Sequence, residues 1–204
     1  MCDKTVYDPS PLLRHVFSEH VLRYGDPGML YHFGEGGDPS DRLDVYVWQA
    51  EPDIPVTTFS TLGMSDRAMT GCAHRCELHW TIRGKLGEAK ESDAAAFLAN
   101  IAMFPFLKGT HFDYWHVLPK LPTLPSFPSC SSGLFHPSFV DGGWDHTMFG
   151  ITTIKLLNFV PLTAAECEEA RTKGVTALLS RLQAERVDIF SDREARILHE
   201  AGSL

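Results

Sequence analysis

The sequence predicts an α+β fold, a single-domain α/β sandwich with a mixed, mainly antiparallel sheet and packed helices. Three observations predict it. Hydrophobic and polar periodicities follow the order strand, strand, strand, helix, strand, helix, which separates strands from helices more than a doubly wound sheet does. At 204 residues the chain fits one domain, 1–204, and a chain of that size buries roughly 70% of its unfolded surface. Hydrophobic residues make up 44% and charged residues 22%, the balance of an ordinary globular protein.

Taking the elements in order, Pro9 to Tyr24 reads as a helix, because Leu12, Leu13, Val16, Phe17 and His20 recur at the three-to-four spacing of one helical face. Ser10 supplies an N-cap and Pro11 a first-turn proline. Gly25-Asp26-Pro27-Gly28 stops the helix, Met29 to Phe33 is a short apolar run, and Gly34 to Pro39 is loop. Leu43 to Gln49 alternates as a strand with bulk on both faces. Val56 to Leu62 is the second strand and Arg75 to Arg83 the third. In the third, Cys76, Leu78, Trp80 and Ile82 form the apolar face, and Glu77, His79 and Thr81 form a more polar one.

Further along, Ser92 to Met103 is expected to be a helix capped by Ser92, with Phe97, Leu98 and Ile101 buried and Pro105 ending or kinking it. Leu118 to Pro137, rich in Pro and Ser, reads as a long irregular connection of the functional kind. Ile151 to Val160 is a strand. Thr163 with Glu166 forms a capping box that opens a helix, interrupted near Gly174 and resuming through Leu178, Leu179 and Leu182. Residues 187–204 are read as a C-terminal helical extension, with a short helix starting at Ser191 in the same box pattern with Glu194.

Charge and targeting signals exclude some function classes. A net charge of −8 without a basic cluster argues against nucleic-acid binding. No apolar run approaches the length of a membrane span, and Met1-Cys2-Asp3-Lys4 lacks the apolar core of a signal peptide. Five cysteines without a disulfide-like framework fit a reduced, cytoplasmic setting.

Four groups of residues are candidates for chemistry. Gly63-Met64-Ser65-Asp66-Arg67 approaches a nucleophile elbow, but Arg67 stands where the second glycine belongs and no helix pattern follows, so the run reads as a strand-ending corner. Cys72, His74, Cys76 and His79 are four possible zinc ligands in one cluster, whereas structural zinc sites use two separated knuckles. Strand alternation also sends Cys76 and His79 to opposite faces. His111, His116, His136 and His146 with Asp113, Asp141 and Asp145 are the ligand types of a metal-dependent hydrolase, the alternative functional reading, although their spacing fits no metal motif. Glu77 and Asp66 are possible partners in an acid pair. Interleaved with the His/Asp group are Phe112, Tyr114, Trp115, Phe135, Phe139 and Trp144, a mixture suited to protein recognition. Trp115, His116, Phe135, Trp144 and Asp145 are the expected partner-binding residues. No catalytic residue, cofactor or metal is assigned.

Several stretches together resemble the Suppressor of fused domain family. They are "LDVYVWQAEPDIPVTTFSTLGMSD", "RCELHWTIRG" and "ITTIKLLNFVPLTAAECEEARTKGVTALLSRL", in that order, and the resemblance spans about residues 24–186. It implies an α/β sandwich that binds other proteins and has no established catalytic activity. Longer eukaryotic relatives sequester a zinc-finger transcription factor in Hedgehog signalling, and bacterial stand-alone forms resemble immunity proteins found beside polymorphic toxins. The loop from Arg67 to His74 is shorter here than in the eukaryotic relatives, and their second domain has no counterpart, so their ligand does not carry over. The resemblance therefore points to an immunity or regulatory protein that neutralises a partner, such as a toxin, by binding. An acidic chain suits a basic partner such as a nuclease.

Overall fold

A computed structural model describes residues 9–34, 42–139 and 142–193. The elements in chain order are α1 (Pro11–Tyr24), β1 (Met29–Phe33), β2 (Leu43–Trp48), β3 (Val56–Leu62), β4 (Arg75–Arg83), α2 (Glu88–Lys108), β5 (Val117–Leu118), β6 (Cys130–His136), β7 (His146–Phe149), β8 (Thr152–Thr163), α3 (Ala164–Lys173) and α4 (Val175–Ala184). The strands form one eight-stranded sheet in the order β1-β2-β3-β4-β8-β6-β5, with β7 also paired to β8. Every pairing is antiparallel except β4 with β8. That parallel pair requires a long crossover, and α2 lies within it.

Alternation along the strands gives the sheet two unlike faces. On the first, Val47, Phe59, Trp80, Phe159 and Phe135 stand in register across five strands. They join the main core under α2, where Trp80 contacts Phe59, Phe97, Phe127 and Phe159 at ring separations of 5.3–6.2 Å. On the second, one residue away along each strand, the row is Tyr46, Ser60, His79, Asn158 and His136. Helix α1 covers one end of this face with Leu13 and Val16 against Leu62 and Ile154. Helices α3 and α4 cover the other end, with Ala170, Leu178 and Leu182 on Leu134, Val160 and Leu162.

Several local signals act as the sequence suggests. Ser10 Oγ accepts from Leu13 N at 3.0 Å and caps α1, the Thr163–Glu166 capping box opens α3, and Gly174 separates α3 from α4. Cys76 lies in the main core and His79 on the opposite face, as alternation requires.

Other expectations are corrected. The second helix starts at Glu88 with Gly87 as N-cap, so Ser92 caps nothing. Pro105 neither ends nor visibly breaks it: the helix continues to Lys108, because Ala94, Leu98, Ala102 and Pro105 itself are buried and their packing outweighs one missing backbone bond. Gly109, in the left-handed region, ends the helix and donates to Pro105 O. The stretch 118–137 is not wholly irregular. Cys130–His136 pairs along β8, a strand hidden in sequence by Ser131, Ser132 and Gly133 and created by its neighbour. Gly133 is required there, since a Cβ would lie 2.1 Å from Phe159 Cε2. Met29–Phe33 is an edge strand. The polar face of β4 is not solvated: Glu77 is 0% and His79 2% exposed. Val187 to Arg193 forms no helix, and the partner residue Glu194 of the proposed last helix lies outside the described residues.

The corner after β3 is built around Glu77. Its carboxyl receives Thr61 Oγ1 (2.7 Å), Gly63 N (2.9 Å), Ser65 N (2.9 Å) and Ser65 Oγ (2.6 Å). Four converging donors are the arrangement of a carboxylate. Asp66 does not pair with it but accepts from Ser10 Oγ at 2.7 Å, tying the corner to the start of α1. Gly63 has φ +135°, and a Cβ on it would lie 2.4 Å from the backbone oxygen of Arg42.

Gly63→Ala is therefore expected to destabilise the fold by about 3 kcal/mol, combining strained backbone with a clash that backbone atoms cannot relieve. Ser65→Ala removes one donor from a buried carboxylate and is expected to lose about 2 kcal/mol. Urea unfolding followed by circular dichroism measures both; Ser65→Ala costing more than Gly63→Ala would contradict this account of the corner.

Candidate binding groove

The second face of the sheet is left open between α1 and the α3–α4 pair. The opening holds a cleft of about 600 Å³ floored by Thr58, Thr81, His79 and Asn158 and walled by Tyr24, Trp48, Trp144, Phe139 and Phe190. Phe139 and Phe190, in edge-to-face contact at 5.1 Å, also line a second cleft of about 720 Å³ that runs along α4 past Leu179 and Gln183. Leu179 and Gln183 line a third, of about 320 Å³, with Trp115 at its end. Neighbouring clefts thus share walls, Phe139 and Phe190 between the first two and Leu179 and Gln183 between the last two, with Trp144 lining the first and Trp115 the third.

The segment from Val187 to Arg193 forms part of the groove wall and is fastened by specific bonds. Arg83 N donates to Phe190 O at 2.8 Å, and the Arg83 guanidinium forks onto Asp188 with two contacts of 3.0 Å. Ser129 Oγ donates to Asp192, and Arg193 donates to Pro161 O at 2.8 Å.

Beneath the α1 end of the groove lies a buried imidazole pair. His20 Nδ1 is 2.7 Å from Val16 O, and its Nε2 is 2.8 Å from His79 Nε2 and 2.7 Å from Ser60 Oγ. Burial pushes the His20 pKa down to about 4 and that of His79 well below the ordinary value, the neighbouring His20 adding to the latter. The Ser60–His20 distance is that of a nucleophile and base, but Ser60 is 1% exposed, so the hydroxyl is enclosed by the fold. Trp144 seats edge-on against His20 at 4.8 Å, Trp48 stacks on His20 at 5.9 Å, and Arg23 places its guanidinium 4.2 Å from the Trp144 ring. Sequence reasoning missed this pair. His20 and Ser60 are single polar residues inside apolar patterns, and only the strand register brings Ser60 beside His79.

The expected partner-binding residues are not gathered in one patch. Trp115, with φ 70°, is 45% exposed and stands edge-on to His136 at 4.8 Å. His116 is half-buried near His111 (5.5 Å between rings), and burial lowers its pKa. Asp145 Oδ1 pairs with His146 Nδ1 at 2.6 Å, and its carbonyl accepts from Tyr114 Oη at 2.5 Å. Phe135 is a correction: at 0% exposure it packs on Phe112 and Phe159 in the main core and offers no surface. Phe112 is likewise core.

Several of the possible metal ligands are engaged elsewhere. Asp113 is held below the usual carboxylate range: Lys155 at 2.5 Å and the Tyr114 backbone N–H outweigh burial, which acts the other way. His74 bonds Phe112 O, and His111 bonds Thr70 O. Among the described residues no group of three or more His, Cys, Asp or Glu is placed to hold a metal ion. Asp141 lies outside the described residues.

The fold and groove together define a mixed-sheet α+β domain with an aromatic-walled recess between its helices. The Suppressor of fused protein (SUFU) family model matches residues 39–193, and the chain belongs to that family. Among solved structures it is similar to a chain of the Sufu-Fu complex (TM-score 0.65, 17% identity, 89% of this chain and 86% of that one). It is also similar to a suppressor of fused homolog from Neisseria gonorrhoeae FA 1090 (TM-score 0.62, 14% identity, 87% of this chain and 92% of that one). Drosophila Suppressor of Fused is similar as well (TM-score 0.59, 16% identity, 87% of this chain), and there the match spans only 46% of the longer chain. At these identities the structures establish the fold. No curated protein sequence matches significantly.

The imidazole pair predicts an acid-sensitive fold. Both histidines are neutral when folded and titrate near 6.5 when unfolded, so below that pH the unfolded chain binds more protons. Their stabilising contribution is complete above pH 6.5 and is lost as pH falls toward 4. Each contributes a slope of up to about 1.4 kcal/mol per pH unit. Glu77, raised by burial against its hydrogen bonds, acts in the opposite direction. Comparing wild type with a His20→Phe, His79→Leu variant cancels that effect. Unfolding free energies measured across pH 4–7.5 should show the wild type losing more stability than the variant; equal slopes would refute the assignment.

Proposed function

We propose that this chain is a protein-binding domain that regulates a partner by covering it, acting as an immunity-type or similar regulatory protein without catalytic turnover. The observation that carries this reading is the row of neighbouring clefts from Trp144 to Trp115. It is a concave surface with aromatic side chains at both ends and polar groups between, the composition of a binding hot spot. Membership of the Suppressor of fused family supports it, and a chain of similar fold occurs in the Sufu-Fu complex. A net charge of −8 favours a basic partner, for which a nuclease-like toxin is the leading example. Inhibition by occlusion needs only buried anchors and complementary charge.

The test begins with a partner isolated by co-purification from the native host. Trp144→Ala and Trp115→Ala should each weaken binding by about 2 kcal/mol, read by calorimetry, with melting temperatures showing that both variants remain folded. If both bind as wild type does, the groove is not the interface. For the immunity role, co-expression should restore growth to cells producing the partner.

A further inference from the structure

The hydrogen bonds of the buried imidazole pair determine what the cleft floor presents. Val16 O can only accept, so the His20 nitrogen 2.7 Å from it, Nδ1, carries a proton. Buried and neutral, His20 then has a lone pair on Nε2. The two nitrogens that face each other at 2.8 Å cannot both be lone pairs, so His79 Nε2 carries the proton between them. His79 is therefore left with a lone pair on Nδ1. Among the described residues that atom has no hydrogen-bond partner, and its residue, 98% buried, lines the cleft. Beside it in register, Asn158 commits its Nδ2 to Pro137 O at 2.8 Å, leaving Oδ1 as a second free acceptor on the floor.

A cleft whose floor accepts hydrogen bonds selects a ligand that donates them. The rim adds charge: Asp26 and Glu51 line it with Lys85, while Arg23, at the Trp144 wall, is paired with Glu19. The walls are aromatic, and the chain already sets one guanidinium, that of Arg23, on the Trp144 indole at 4.2 Å. A guanidinium is planar, always charged and rich in donors, and it stacks on aromatic faces. We infer that the cleft between Tyr24, Trp48 and Trp144 is an anchoring pocket for an arginine side chain of the partner protein, with His79 and Asn158 accepting its N–H groups and Asp26 and Glu51 drawing it in. The inference rests on the protein-binding reading and goes beyond it by naming the residue that enters.

Nuclear magnetic resonance on the ¹⁵N-labelled full chain tests it with N-acetyl-arginine amide, its norleucine and citrulline counterparts, and free arginine. The Trp144 indole resonance is assigned by its loss in Trp144→Phe. The arginine amide should shift Trp144 and His79 signals saturably, with the norleucine and citrulline amides about tenfold weaker or more. Glu51→Gln, on an exposed rim residue, should weaken the arginine probe severalfold while leaving the melting temperature unchanged. Equal binding of norleucine amide, or no saturable shift with any probe, overturns the inference. Free arginine binding more tightly than its blocked amide also overturns it, since the pocket would then serve a small metabolite. A partner that loses affinity with Trp144→Ala, yet tolerates replacement of every interfacial arginine, refutes the pocket and leaves the protein-binding reading intact. An arginine probe that binds while Trp144→Ala leaves partner affinity unchanged also overturns the inference, since no partner arginine then enters the pocket.

Discussion

The structure depends on one buried carboxylate. Glu77 sits in the middle of the sheet, wholly enclosed, with no cation paired to it among the described residues. Burial raises its pKa, and bonds from Ser65, Gly63 and Thr61 act against that rise. Removing a carboxylate from water is costly unless every lone pair finds a donor. That requirement dictates the corner: the chain after β3 must turn so that two backbone N–H groups and two hydroxyls reach the same side chain. Gly63 permits the turn, and the 3-10 turn Met64–Asp66 presents Ser65 inward. Thr61 takes part twice, donating to Glu77 and accepting from Leu78 N at 2.8 Å, so β3 and β4 are locked in register. Asp66, at the end of the same turn, holds Ser10 and thus the first turn of α1. The position of α1 then brings His20 to His79. A local solvation problem on β4 is in this way connected to the placement of the groove.

The groove itself follows from the pleat. Because neighbours on a strand point to opposite faces, the aromatic row from Val47 to Phe135 and the polar row from Tyr46 to His136 are a single residue apart on all five strands. The apolar row is covered by α2 over β2 to β4, with Phe97 reaching Phe159, and by Phe112 at Phe135. The polar row is covered only where apolar residues flank it, by α1 over Leu62 and Ile154 and by α4 over Val160 and Leu162. Between these two covers the row has little apolar surface to attract a helix, and beside the enclosed His79 the face opens into the recess floored also by Thr58, Thr81 and Asn158. Aromatic residues from α1, β2 and the segments around Phe139 and Phe190 line the sides.

Much of the fold was legible because it rests on local rules. Val56–Leu62 and Arg75–Arg83 alternate clearly, and their observed bounds match the pattern. Ser10 and the Thr163–Glu166 box are caps whose chemistry is confined to one turn. What was not legible depends on partners distant in sequence. Cys130–His136 has a weak strand composition and is a strand because β8 pairs with it. Pro105 stays helical because its neighbours are buried. Glu77 and His79 stand on what the sequence shows only as the more polar face of β4, and α1 and the corner enclose them. At the site, Trp144 and Trp115 do line a groove, but Phe135 obeys alternation and points into the core, a placement that required knowing it was in a strand. The imidazole pair joins residues 59 positions apart, and no spacing rule announces it.

Buried polar atoms without partners occur along the groove as well as elsewhere among the described residues. Native interiors leave few buried donors or acceptors without partners, and each exception calls for a reason. Trp80 Nε1 is such an exception in the main core, where four aromatic neighbours and the area that Trp80 buries outweigh one unmade bond. Trp144 Nε1 and His136 Nδ1 are also without partners, but both residues line the groove. With the acceptors on His79 and Asn158 they give the clefts a set of uncompensated hydrogen-bonding groups. A rigid, incompletely satisfied surface gains more from a complementary partner than a fully satisfied one, because its own groups lose little ordering entropy and few existing bonds on binding. An acidic chain adds long-range attraction for a cationic surface, which governs encounter.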